Sequence, residues 1–209
     1  MNTAIILDYQ NVNLVGLNLY KSFGSRKDLY IHPLRFSEQL LSKRNLAQKS
    51  HSYSAELKKV LVFRGLPSPF YDPSLHARVM SQTARWQKHS IVTISHRSLK
   101  YDLKRDSSGK VFVDEAGQNI ILGRKEKGID VLCALALVRE AQKFDLVILA
   151  SQDSDLIPAI DEACSLGRAK IETFSWYSRE NRRSRELRPD YHQVWNTRLD
   201  QSDYLKCLE

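Results

Sequence analysis

Four aspartates, spread over three separated segments of a 209-residue chain, are the residues most able to do chemistry. Asp8 closes the apolar run Thr3-Ala4-Ile5-Ile6-Leu7, and Asn11 follows three residues later. Asp130 comes after Lys125-Glu126-Lys127-Gly128-Ile129, and Asp153 and Asp155 lie in Ala150-Ser151-Gln152-Asp153-Ser154-Asp155. Carboxylates gathered in one place repel unless a cation neutralises them. An oxygen-only set suits Mg²⁺ or Mn²⁺ rather than Zn²⁺. Such ions polarise a phosphoryl oxygen, acidify a bound water and stabilise a leaving oxygen. No Ser-His-Asp motif, P-loop or Gly-x-Gly-x-x-Gly competes with this reading.

Each acid also has an ordinary explanation. Asp130 complements a helix dipole from the first turn. Asp155 is a natural N-cap before Leu156, with Pro158 suited to the turn that follows. Caps do not explain the set, because Asp8 and Asp153 follow the two most apolar strands.

The elements that must position these acids alternate between β-type runs and helical patterns, which predicts βαβ units around a mostly parallel sheet. Strands are expected at 3–7, 59–63, 90–94, 145–150 and 170–174. Residues 9–33 read as a long irregular connection. Helices are expected with Phe36, Leu40 and Leu41 on one face, at 74–88 with Leu75, Val79 and Trp86 together, at 129–142, and at 155–166, closed by Gly167. An inserted hairpin at 97–124 is expected to pair 110–113 with 119–122. In open parallel sheets ligands bind beyond the carboxyl ends of the strands. Parallel strands would therefore bring the acids to one edge.

The segments around Asp8, Asn11, Lys127-Gly128-Ile129-Asp130 and Ser151-Gln152-Asp153-Ser154-Asp155, followed by Pro158, Gly167 and the strand to Phe174, resemble the LabA-like NYN domain of the PIN-like nuclease superfamily over residues 3–174. The resemblance implies a Rossmann-like three-layer α/β/α sandwich with about five mostly parallel strands. It also implies RNA cleavage dependent on Mg²⁺ or Mn²⁺. The family's acids map onto Asp8, Asp130, Asp153 and Asp155 as metal ligands and catalytic residues, with Asn11 and Ser151 as polar support. Gln152 stands where Gly is common in that motif and would narrow the approach to an ion. An activated water would then attack the phosphodiester in line and leave a 5′-phosphate.

An acidic pocket needs a basic rim to hold an anionic strand. Lys plus Arg number 32 against 24 Asp plus Glu, a formal charge of +8, which favours a polyanionic partner. Lys127 supports the acids. Arg64, Arg97, Lys100, Arg124, Lys125, Arg182 and Arg183 are expected to hold RNA, and Tyr9, His96, Tyr101, Trp176 and Tyr177 to stack on unpaired bases. The alternative is an RNA-binding module on a nuclease scaffold, with weak or no catalysis. Toprim-like and haloacid-dehalogenase-like readings fit less well. The first wants Glu after the first strand, and the second wants Asp-x-Asp there, where this chain has Asp8-Tyr9-Gln10.

The expected division is a nuclease domain over 1–175 and a basic extension over 176–209 that docks on it. No apolar run approaches the roughly 20 residues of a membrane span. The short apolar start ends at an acid, unlike a signal peptide. Cys133, Cys164 and Cys207 form no metal or redox spacing. These features predict a reduced, cytoplasmic protein without a membrane partner, and leave a homo-oligomer or a regulatory protein partner open.

Overall fold

The computed structural model describes residues 1–20, 29–48, 54–115, 117, 119–178, 180 and 186–209, together with the backbone of 183 and 184. Its central strand is β1 (Asn2–Asp8). Outward on one side lie β2 (Glu56–Leu66) and β3 (Val92–Ser98), and on the other β6 (Leu146–Ala150), β7 (Lys170–Ser178) and β9 (Trp195–Leu199). All six run parallel. A two-residue strand, β8 (Arg183–Ser184), pairs antiparallel with the end of β7. The sixth parallel strand comes from the segment expected only to dock, so the extension completes the sheet as well as covering it.

Alternation along the strands sets the three layers. Ile5 and Leu7 of β1, Val60 and Val62 of β2, and Ile148 of β6 join one core with Phe36, Leu40, Trp86 and Tyr204. These last belong to α2 (Pro33–Gln48), α3 (Pro73–Trp86) and α6 (Gln201–Cys207). Ile6, Leu61 and Leu149 point the other way, into a second core with α4 (Ile129–Glu140) and α5 (Ile157–Ser165). The three-layer α/β/α arrangement is therefore as the sequence predicts. The three cysteines are free thiols. Among the described residues no helix is long and apolar enough to cross a membrane.

Two local expectations change. Residues 9–19 are not irregular: α1 (Tyr9–Leu19) begins directly after β1, because the Asp8 carboxylate accepts a hydrogen bond from the Asn11 amide at 3.4 Å and caps it. Trp176 Nε1 then donates to the Val12 carbonyl at 2.9 Å and holds the helix on the sheet. The inserted hairpin is also built differently. Its ladder joins β4 (Lys100–Leu103) to β5 (Ile121–Lys125), while 110–113 and 119–122 meet only at the isolated bridge between Val113 and Asn119. The Asp106 carboxylate draws in the Ser108 and Lys110 amides, and Gly109 takes a positive φ of 86°. That turn folds 105–111 back before a longer hairpin can form.

Candidate functional site

The chain moves outward from β1 through β2 and β3, then returns to the other side of β1 at β6. The crevice beyond the carboxyl ends of β1 and β6 is thus the point where strand order reverses, the usual ligand position in such sheets. Asp8 ends β1 there and Ser151 follows β6. The two ends are tied together. Ser151 Oγ donates to Asp8 Oδ2 at 3.0 Å, the Gln152 amide donates to Asn11 Oδ1 at 2.9 Å, and the Asp153 amide donates to Ser151 Oγ at 3.2 Å. Asn11 and Ser151 are thus the side chains that join the end of β1 to the segment after β6.

A cleft of about 480 Å³ opens at this point, with Asp8, Asn11, Glu126, Lys127, Asp130 and Asp153 in its walls. Asp130 enters from the first turn of α4, whose start is turned by Gly128 at φ 76°. Asp8 is 5% exposed, and burial pushes its carboxyl up to about 6. The Ser151 hydroxyl and Asn11 amide oppose that rise, while the charges of Asp153 and Asp130 add to it.

Asp155 is the exception among the four acids. It is exposed and outside the cleft lining. Nor is it the cap: Asp153 caps the 3-10 turn Ser154–Leu156 by accepting from the Asp155 amide at 3.1 Å, and α5 starts only at Ile157.

Glu126 is the residue that sequence reasoning missed. Flanked by lysines, it reads as part of a basic run. In the structure it lines the cleft, accepts from the Gly65 amide at 2.5 Å, and is pushed up to about 7, mainly by burial and further by the Asp8 charge. Only its pairing with Gly65, 61 positions away, could have given it away. Gln152 corrects another expectation. It is 4% exposed, and its Oε1 accepts from the Trp176 amide at 3.3 Å, so it turns toward β7 and not into the cleft.

The basic residues divide into four groups. Lys127 is exposed in the cleft wall, and the Arg97 guanidinium lies close to Gly128 at the same rim. Lys100, also exposed, lies opposite Lys125 in the hairpin. Lys125 pairs with Asp102 at 2.8 Å, and Arg124 pairs with Asp72 at 2.6 Å. With Tyr101, whose hydroxyl donates to the same Asp72 carboxylate at 3.2 Å, Arg124 pins the hairpin to the start of α3. Arg64 is not on the rim. It is 7% exposed, stacked over Tyr9 at 4.5 Å and Trp86 at 5.4 Å, and burial lowers its pKa. Arg182 lies outside the described residues, and Arg183 is placed by its backbone in β8. Of the aromatic residues expected to stack on bases, Trp176 is fully buried core and Tyr9 lies beneath Arg64.

The donors facing the cleft are oxygen atoms, which fits a hard divalent ion. Among the described residues, however, no three acidic, His or Cys side chains stand close enough to form a ligand cage. Mg²⁺ commonly takes only one or two carboxylates, completing its shell with water and substrate phosphate. Asp8, Asp130 and Asp153 all line the cleft.

No family model matches the sequence, and no curated protein matches it. The fold is similar to the crystal structure of a protein of unknown function from Vibrio parahaemolyticus, with a TM-score of 0.51 and 16% identity over 100% of this chain and 96% of that one. At that identity the likeness speaks to the α/β architecture alone.

Proposed function

We propose that the chain is a divalent-metal-dependent endoribonuclease that acts in the cytoplasm on RNA. The reading rests on one observation: Asp8, Asp130 and Asp153, from three distant segments, line a single cleft at the switch point of a parallel sheet, with Lys127 in the same wall and Arg97 at its rim. The resemblance to the NYN domain adds the substrate class.

Asp8, with Asp130 or Asp153, would hold Mg²⁺ or Mn²⁺. The chemistry so supplied is acidification of a water and neutralisation of phosphate charge. Ser151 and Asn11 keep the Asp8 and Asp153 backbone segments in register. Lys127 and Arg97 draw the RNA backbone to an otherwise negative cleft. Asp155, outside the cleft, has no direct part.

The test is incubation of the purified protein with single-stranded and structured RNA in Mg²⁺, Mn²⁺ or chelator, beside Asp153→Asn. Cleavage that needs the ion and is lost in the variant, with its fold intact, supports the proposal. Undiminished cleavage by Asp153→Asn in the presence of the ion overturns it. A second reading is an RNA-binding module. It draws support from the hydrogen bonds that already occupy Asp8 and Asp153 as helix caps, and predicts salt-sensitive RNA binding with no turnover under any ion.

A further inference from the structure

A second cleft, of about 330 Å³, adjoins the acidic one and shares Gln10 and Leu14 with it as a dividing ridge. Its character is opposite. The acidic cleft is walled by carboxylates, whereas this one has Arg64, Tyr30 and an aliphatic wall that includes Leu75, Val79 and Leu99. Arg124 stands in its lining, held by Asp72.

The informative residue is Arg64. A guanidinium carries five N–H donors. Among the described residues Arg64 makes one hydrogen bond, from Nη1 to Gln82 Oε1 at 2.9 Å. Gln82 is itself held by donating to Glu209 at 3.0 Å. Among the described residues no carboxylate pairs with Arg64, although Glu126 and Glu209 are near enough to act on it electrostatically. None of its other nitrogens is sealed from solvent. Burying a cation without a paired anion is costly, and such an arrangement survives best where the anion arrives with a ligand. The Tyr9 and Trp86 rings, 4.5 and 5.4 Å from its central carbon, hold the guanidinium in place. The guanidinium is therefore preorganised for a planar, multi-donor grip on phosphate.

From this geometry we infer that the second cleft is a nucleotide subsite: Arg64 takes a phosphate, and the aliphatic wall with Tyr30 takes the attached base. The inference rests on the nuclease reading for its biological sense, since the occupant would be the substrate nucleotide next to the bond being cut. Leu14 and Gln10 would then separate the reacting phosphate from its neighbour. The cleft's size suits one nucleotide.

The experiment is calorimetric titration of a nucleoside 5′-monophosphate into the protein in chelator, with inorganic phosphate and the bare nucleoside as parallel probes. The monophosphate should bind more tightly than either fragment. Arg64→Lys should weaken it by about tenfold, the scale of one lost charge-assisted hydrogen bond. Leu75→Trp fills the aliphatic wall, and should exclude the monophosphate while sparing inorganic phosphate. It keeps the test valid if Arg64→Lys does not fold. A ribo-oligonucleotide should displace the monophosphate. Equal affinity for monophosphate and inorganic phosphate, indifference to Leu75→Trp, or failure of the oligonucleotide to compete each overturns the subsite. Absence of RNA cleavage with intact monophosphate binding overturns the nuclease reading instead, so the two failures are separable.

Discussion

The Ser151 hydroxyl donates to the Asp8 carboxylate at 3.0 Å across the junction of β1 and β6. It is the largest of the influences holding Asp8 down against burial. Removing it in Ser151→Ala leaves the desolvation and the Asp153 and Asp130 charges in place. The Asp8 pKa should therefore rise above about 6. A side-chain carboxyl NMR titration reads this directly, and the acid limb of any RNA cleavage should move to higher pH with it. An unchanged Asp8 titration would show that the hydroxyl carries no weight there.

Asp8 also makes a prediction about stability. Its folded pKa, about 6, stands above the ordinary 3.8. The proton is thus bound more tightly in the folded protein. The stability it brings is fully present below pH 3.8 and is lost as pH rises through about 6. The deficit above that pH is roughly 3 kcal/mol. Asp8→Asn should therefore raise the melting temperature at pH 7.5 and change it little at pH 4. If the cleft binds Mg²⁺ through Asp8, adding the ion to the parent protein should lower the Asp8 pKa, because ion and proton compete for one carboxylate.

Gly65 ties β2 to the site through its amide, which donates to Glu126. A Cβ there would run into the Leu99 side chain and lie 2.5 Å from Glu126 Oε1. Leu99 is a half-buried apolar side chain and Glu126 is bonded to the Gly65 amide, so neither gives way freely. Gly65→Ala should destabilise the fold by about 1–3 kcal/mol, the usual cost of overpacking. It should also break the contact that keeps Glu126 in place. Urea denaturation measures the first effect, and the Glu126 titration, now near 7, measures the second.

The sequence was legible where pattern and burial agree. Ile5, Ile6 and Leu7 are all fully buried, and a strand covered on both faces has to be continuous in hydrophobicity. The order of the acids along the chain was enough to place Asp8, Asp130 and Asp153 together, because parallel strands expose their carboxyl ends on one side. What stayed hidden depends on contacts between distant residues. Asp8 as a cap turns 9–19 into helix, and a cap is indistinguishable in sequence from a strand-ending acid. Glu126 needs Gly65 to show its place, and Arg64 needs Tyr9 and Trp86 to show that it is buried. Strand β9 begins at Trp195, which is partly exposed, and its edge position gives only the weak alternation of a half-covered strand.

Another buried cation, Arg44, is paired, and its behaviour should differ from that of Arg64. Arg44 of α2 grips Glu172 of β7 with Nε to Oε2 at 3.1 Å and Nη2 to Oε1 at 2.9 Å, and both side chains are fully buried. Lys170 reaches the same Oε1 at 2.9 Å but is 39% exposed. Removing the guanidinium leaves Glu172, among the described residues, with that one partly solvated ion-pair partner, and a buried charge stripped of its pair costs on the order of 3 kcal/mol. Arg44→Leu should therefore lower the free energy of unfolding by about that much. The double variant Arg44→Leu with Glu172→Leu should recover most of the loss, since no charge then remains to be buried. Neither residue lines the acidic cleft or its neighbour. RNA cleavage and nucleoside monophosphate binding, measured well below the melting range, should stay at parent levels in both variants. A double variant as unstable as the single one would mean that the pair contributes net attraction, and not merely the avoidance of an orphaned charge.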